Sequence, residues 1–255
     1  MNGVYIPFYN EKGPHLIRLL NSLQNWEVKR AYFVDGPFPG YDDRGCTESD
    51  DGCREEILGY GYTILDAGRV HMPIKTNMAL HQAAKDGCEA ILIMGCDEYL
   101  EGYLDGLEVP DAPLARIPLV EHNPTGKYNR VENFNPRLIC KPGLVRSVDI
   151  HWMFFYMNQM IDDNLMPIIE DIIVHCDDTL RPEERDRKMT AYQDVNVIRE
   201  KKIINDKFIK QIIDMEYPPV RSLSGTYYWT CGCITWNDGS RLKKCSKHIN
   251  KNPQL

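Results

Sequence analysis

The sequence predicts an α/β protein: a mostly parallel sheet flanked by helices, with a small cysteine- and histidine-bearing tail. Three observations carry this. Gly3 to Phe8, the helix-patterned stretch after Pro14, and Arg30 to Val34 place a strand, a helix and a strand in roughly 30 residues. That is a βαβ unit, which requires a parallel pair. Ala90 to Met94 is an unbroken apolar run, as suits a strand buried on both faces of a parallel sheet. After the Tyr217-Pro218-Pro219 break, Cys231, Cys233, Cys245 and His248 gather near the end of the chain. Residues 1–216 are therefore read as one domain and 217–255 as a small tail.

Each element has its local reason. Gly3 to Phe8 is a first strand with Pro7 near its end, where a missing donor is tolerated. Pro14 suits the first helical position, and Leu16, Leu19, Leu20 and Leu23 form one apolar face behind it. The second strand ends in Asp35-Gly36. Residues 37–52 are rich in Pro, Gly and Asp, and a loop of that length is often functional. Arg54 to Gly59 reads as a short helix and Tyr62 to Leu65 as a third strand ending at Asp66. Pro73 opens a helix to about Lys85, carrying Lys75 and Asn77 in its first turns. A lysine there opposes the helix dipole, and an anionic ligand beside it would explain the placement; a solvated lysine is the plainer reading.

Beyond the central strand, Leu114 to Val120 and Arg137 to Cys140 read as strands, with polar Glu121 to Asn135 as loop between them. His151 to Tyr156 is an aromatic cluster, read as core or as the wall of a substrate site, and Asp162-Asp163 follow it. Ile168 to Val174 delivers His175. Two helices are expected after Arg181, the first charged and the second with a stripe of Ile203, Ile204, Phe208, Ile212 and Ile213.

Bulk properties bound the function. The 255 residues are 43% hydrophobic and 26% charged, with a net charge of -7, so a broad basic surface for non-specific nucleic-acid binding is not expected. No run reaches the roughly 18 apolar residues of a membrane span. The chain start carries no signal-peptide pattern. The nine cysteines are an odd and mostly scattered set, which points to a reducing cytoplasm.

The chemistry sits at strand ends. Asp97 and Glu98 follow the central strand, where open α/β sheets bind ligands. They read either as a solvated turn or as oxygen ligands for a divalent cation, which in turn can hold a diphosphate. In the tail, three thiols and one imidazole make a full tetrahedral set for a structural zinc ion, a disulfide or unliganded thiols being the other readings, with a hairpin expected to turn near Asn237-Asp238-Gly239.

The ordered set resembles family 2-like glycosyltransferases of the GT-A (Rossmann-like) fold. Pro7-Phe8-Tyr9-Asn10-Glu11 is similar to that family's opening Pro-x-x-Asn-Glu; Gly95-Cys96-Asp97-Glu98-Tyr99-Leu100 is similar to its Asp-x-Asp-Glu-Phe/Tyr-Leu; His175, Arg181 and Tyr192 are similar to its late His…Arg…Tyr segment. The likeness spans about residues 2–200 and departs at Gly95, where the family has its first Asp. It implies a nucleotide-sugar donor site including Pro7, Tyr9, Glu11, Asp35, Lys75, Asn77 and Cys96. It implies a Mn2+ or Mg2+ ion on Asp97 and His175, and an acceptor-side base at Asp163 or Asp162. The acceptor is unknown: a glycan, a protein or a nucleic acid. The alternatives are a sugar nucleotidyltransferase, for which Asn10 to Gly13 is a poor triphosphate loop, and a decayed transferase domain that binds a partner beside a zinc knuckle.

Overall fold

The computed structural model describes residues 2–37, 44–70, 72–104, 106–122, 129–147, 154–156, 159–161 and 166–177, and four short strands of the tail at 220–221, 227–228, 234–235 and 241–243. In chain order the first elements are β1 (Asn2–Phe8), α1 (Pro14–Asn25), β2 (Ala31–Asp35), α2 (Cys53–Gly59), β3 (Thr63–Asp66), α3 (Met72–Lys85) and β4 (Ala90–Ile93). Then come β5 (Glu98–Gly102), β6 (Leu114–His122), β7 (Asn129–Ile139), β8 (Val145–Ser147), β9 (Phe154–Tyr156), β10 (Gln159–Met160) and β11 (Ile172–Asp177).

Eight strands form one sheet in the order β3-β2-β1-β4-β7-β6-β11-β5. The β3-β2-β1-β4 half is parallel, as the βαβ reading requires. The other half is mixed: β7 is antiparallel to both β4 and β6, β11 is parallel to β6, and β5 is antiparallel to β11. The expected mostly parallel sheet is thus four parallel pairings against three antiparallel ones. Two corrections follow for the elements. Glu98 is not in a solvated turn but opens a strand, β5. Residues 129–135, read as loop, belong to β7.

The two faces of the sheet are both covered, which is why its central strands lack polar alternation. Val4, Ile6, Phe8, Phe33 and Leu92 pack with Leu16, Leu19, Leu20 and Leu23 of α1 and Ile57 of α2. Tyr5, Tyr32, Val34, Ile91 and Ile93 pack on the other side with Ala79, Leu80 and Ala83 of α3. A three-stranded sheet, β10-β9-β8, joins this second face through Val145 and Phe154; of the aromatic cluster, Phe154 is therefore core. Asn77 fastens β8 to α3: its side-chain amide donates to the Ser147 carbonyl at 2.9 Å and accepts from the Ser147 N–H at 2.9 Å.

An edge strand exposes unpaired backbone groups, and at β5 helix α1 takes them up. Ser22 Oγ accepts from the Leu100 N–H at 2.9 Å, and Trp26 Nε1 donates to the Leu100 carbonyl at 2.7 Å. In the tail, β12 (Val220–Arg221), β13 (Tyr227–Tyr228), β14 (Ile234–Thr235) and β15 (Arg241–Lys243) make an antiparallel four-stranded meander. The expected hairpin is its β14-β15 pair. The two helices expected after Arg181 lie outside the described residues.

Candidate functional site at the carboxyl edge of the sheet

The pairings set one polarity for β1, β2, β3, β4, β6 and β11, so their carboxyl ends share one edge. Residues far apart in sequence converge there. Phe8, Asp35 and Asp66 stand in register across β1, β2 and β3. Lys75, in the first turn of α3, reaches under this edge and donates to the carbonyls of Phe8 and Gly36. It is 1% exposed. Burial pulls its pKa down to about 8, while the nearby charges of Asp35, Cys96 and Glu11 pull the other way. Cys96 is buried with its Sγ 3.7 Å from the Pro7 carbonyl. Thus Pro7, Glu11, Asp35, Lys75 and Cys96 form one constellation. The plainer reading of Lys75 as a solvated lysine is overturned: its ammonium is not presented to solvent but ties two strand ends together.

Gly36 lets the end of β2 lie close against the chain at Gly68. Its φ is +133°, and a Cβ there would stand 2.1 Å from the Gly68 carbonyl oxygen, a position only glycine fills.

Asp35 is fully buried. Its carboxylate accepts from the Ser49 N–H at 2.9 Å, the Ser49 hydroxyl at 2.6 Å and Arg54 Nη1 at 2.5 Å. Arg54 also holds Asp66 at 2.6 Å. The segment before α2 is further laced to the loop after β1. Asn10 adopts φ 52°, a left-handed conformation that Asn tolerates, and exchanges hydrogen bonds with Asp50 at 2.9 and 2.8 Å. The Lys12 N–H donates to Asp51 at 2.7 Å. In this arrangement Asp35 and Tyr9, 0% and 6% exposed, lie beneath that segment. The long loop expected before α2 is therefore, over residues 44–52, a cover for the strand ends.

Past β4 the chain turns at Gly95 and Cys96. The Asp97 carboxylate folds back over Gly95, its Oδ1 lying 2.6 Å from where a Gly95 Cβ would be. The missing first Asp of the family pattern thus leaves a space that Asp97 occupies. Glu98 is differently employed. It accepts from the Gly95 N–H at 2.6 Å and from Arg137 Nη1 at 2.6 Å, with both ionic partners buried. Arg137 was read only as the start of a strand; nothing in its local pattern announced a partner 39 residues away.

His175 stands on β11 beside Tyr99 of β5, rings stacked at 4.7 Å. Its Nδ1 is 3.0 Å from His122 Nε2, and its Nε2 is 2.7 Å from Glu101. Tyr99 Oη lies 3.2 Å from the same His122 nitrogen. Both ring nitrogens of His175 are thus taken, so metal ligation by it would require breaking one of these contacts. Among the described residues no three His, Cys, Asp or Glu side chains gather to hold a metal ion. Asp162, Asp163, Cys231, Cys233, Cys245 and His248 lie outside the described residues.

No protein-family model and no curated protein matches the chain. Solved structures do. The chain is similar to S. aureus TarS 1-349 in complex with UDP, at 17% identity and a TM-score of 0.45 over 69% of this chain and 60% of that one. It is similar to S. aureus TarS 1-349 at 20% identity and a TM-score of 0.33, over 56% and 47%. It is similar to a nucleotide-diphospho-sugar transferase from Desulfovibrio desulfuricans G20 at 12% identity and a TM-score of 0.26, over 47% and 58%. The chain thus spans less than two thirds of the length of each. Among the described residues the architecture is a mixed eight-stranded α/β sheet with three helices.

Lys75 gives this site a pH signature. Its pKa is about 8 in the folded protein against 10.5 for an ordinary lysine. Between those values the unfolded chain binds more protons than the folded one, so this group makes stability rise with pH. The thiol of Cys53, pushed up to about 12 from 9.0 by burial, acts oppositely above pH 9, so the clean window is pH 8 to 9. There the stability of the native sequence relative to Lys75→Met should rise by about 1 kcal/mol. Urea unfolding at the two pH values checks it; a pH-independent difference would rule out the buried ammonium.

Proposed function

We propose that the chain is a nucleotide-sugar-dependent glycosyltransferase. The observation that carries the reading is the convergence of Pro7, Glu11, Asp35, Lys75 and Cys96 on the carboxyl edge. These are the positions at which the sequence resembles the donor site of family 2-like glycosyltransferases. The edge is also where an open α/β sheet binds ligands.

The donor nucleotide lies along the ends of β1 and β2, against Pro7, Tyr9, Glu11 and Asp35, once the 44–52 segment yields. Lys75 and Cys96 underlie the diphosphate; Asn77 acts from behind, by holding β8. The acceptor hydroxyl attacks the anomeric carbon, the bond from that carbon to the diphosphate oxygen breaks, and the hydroxyl proton passes to a carboxylate, Asp163 or Asp162. The fit to a divalent ion is partial. Asp97 offers one hard oxygen ligand of the kind Mg2+ and Mn2+ accept, and such ions commonly take their other ligands from phosphates and water. His175 offers neither nitrogen in the arrangement described. The ion, when bound, neutralises charge on the leaving diphosphate. None of the six described cysteines is in a disulfide, which supports a reducing, cytoplasmic setting; no described helix is long and apolar enough to cross a membrane.

A panel of nucleotide sugars, each tested by thermal shift with and without Mn2+, tests the reading, because a ligand that binds only the native state raises its stability. At least one should shift the transition, by several degrees at 100-fold saturation, and Asp97→Ala should lose the Mn2+-dependent part with its ligand-free transition unchanged. No shift with any donor would overturn the proposal. Gly95 favours a second reading, a domain that binds the donor without transferring it. Donor binding with no release of nucleoside diphosphate for any acceptor would select it.

A further inference from the structure

Of residues 44–52, Ser49 alone is buried; Thr47, Glu48 and Asp50 are exposed, and Cys46, Asp51 and Gly52 are half-buried. The segment adds no side chain to the apolar core, whereas Cys53 and Ile57 of the adjoining α2 do. A segment that buries so little apolar surface opens at low cost. It is bounded by Gly45 at φ +80° and Gly52 at φ +89°, left-handed backbone in which glycine turns without strain. Its outward ties are exposed: Asn10 and Arg44 to Asp50, and the Lys12 N–H to Asp51. An exposed ion pair such as Arg44-Asp50 contributes little.

The inward tie is Ser49 on Asp35. The Ser49 hydroxyl donates to Oδ1 of Asp35 at 2.6 Å, and the Ser49 N–H donates to Oδ2 at 2.9 Å. Arg54 also meets Oδ2 and holds Asp66, but Arg54 belongs to α2 and remains when the segment lifts. Departure of Ser49 thus leaves a buried carboxylate, fixed by a guanidinium, with one acceptor position open on each oxygen. A vicinal cis-diol offers two donors to match. In open α/β sheets an acid following the second strand takes a ribose hydroxyl, and Asp35 ends β2.

We infer that Ser49 is a latch occupying the ribose subsite of the donor: nucleotide binding exchanges the Ser49 hydroxyl and N–H for the ribose 2'- and 3'-hydroxyls on Asp35. This rests on the transferase reading and adds to it the part of the donor that Asp35 meets and the segment that must leave first. A closed cover lowers the apparent affinity by the fraction of molecules that stand open. Loosening the latch therefore tightens binding, the opposite of what removing a donor contact does.

Calorimetric titration of the full chain with UDP, GDP, ADP and CDP, and with their 2'-deoxy forms, tests this. For the nucleotide that binds best, Ser49→Ala should lower Kd about 5-fold, the equivalent of one net hydrogen bond removed from the closed state. Asp50→Ala, at an exposed tie of the same cover, should lower it about 2-fold, so the test stands even if Ser49→Ala folds poorly. Thr47→Ala, exposed in the same segment, should leave Kd unchanged. The native chain should bind the 2'-deoxy form about 10-fold more weakly, the loss of one hydrogen bond to a charged acceptor. A nucleotide that the native chain binds, but that Ser49→Ala and Asp50→Ala bind no tighter, or that binds alike with and without its 2'-hydroxyl, overturns the latch and leaves the transferase reading standing. Failure of the native chain and both variants to bind any of the nucleotides overturns the two together.

Discussion

Arg137→Ala is expected to cost about 3 to 5 kcal/mol of folding stability, the usual consequence of stripping one partner from a buried ion pair. Glu98 and Arg137 are 5% and 6% exposed, and their contact at 2.6 Å is the only charge compensation drawn for Glu98 among the described ion pairs. Removing the guanidinium leaves a carboxylate beneath the turn that follows β4. The Gly95 N–H bond does not neutralise it, and the group must either protonate or draw in water. For a chain of this size the loss corresponds to a fall in the melting temperature on the order of 10 °C. The pair itself need not be net stabilising, because two desolvated charges repay little of their hydration. The double substitution Glu98→Gln/Arg137→Met should therefore recover much of what Arg137→Ala loses. Chemical denaturation of the three variants measures this. Equal loss in the single and double variants would mean that the pair acts through shape rather than charge.

This pair marks where reading the sequence stopped. The β4 strand was legible because burial on both faces forces an uninterrupted apolar run, and Ala90 to Met94 is one. β5 was not. It is an edge strand, and its outward backbone at Leu100 is met by Ser22 and Trp26, so it needs no apolar signature of its own. β7 was legible only where it is flanked on both sides. Leu138 and Ile139 pair with β4 and with β6, and they are the apolar part. Residues 129–135 pair with β6 alone and kept the polar composition of a loop.

The same division holds in the site. The gathering of Glu11, Asp35 and Cys96 at one edge was legible because each follows a recognisable strand, and strand ends in a parallel sheet meet by construction. Their partners were not. Ser49 and Arg54 sit in the cover segment and its helix, and His122 reaches His175 across 53 residues. No local periodicity encodes such a meeting. Lys75 read from the sequence either as a solvated lysine or as one beside an anionic ligand; at 1% exposure, with its ammonium under the ends of β1 and β2, the solvated reading is the one overturned.

Asp35→Ala is the second large effect expected, at about 3 kcal/mol, the cost of deleting a buried charged acceptor from the buried Ser49 and the partly exposed Arg54. Ser49 would lose both bonds and Arg54 one of its two close carboxylates, keeping Asp66. The segment from Ser49 to Arg54 would then be held to the strand ends mainly by Asn10-Asp50 and Lys12-Asp51. The two roles open to Asp35, anchor of that segment and contact for the donor nucleotide, separate experimentally. Asp35→Asn keeps the size and an oxygen for Ser49, so it should lose far less stability, on the order of 1 kcal/mol. Ser49→Ala weakens the same anchor without touching the carboxylate. If Asp35 meets the nucleotide, Asp35→Asn should abolish the thermal shift produced by the donor while Ser49→Ala retains it. Retention of the donor shift in Asp35→Asn would confine Asp35 to the anchor. The donor would then have to be read by Glu11 and Tyr9 at the end of β1, without help from β2.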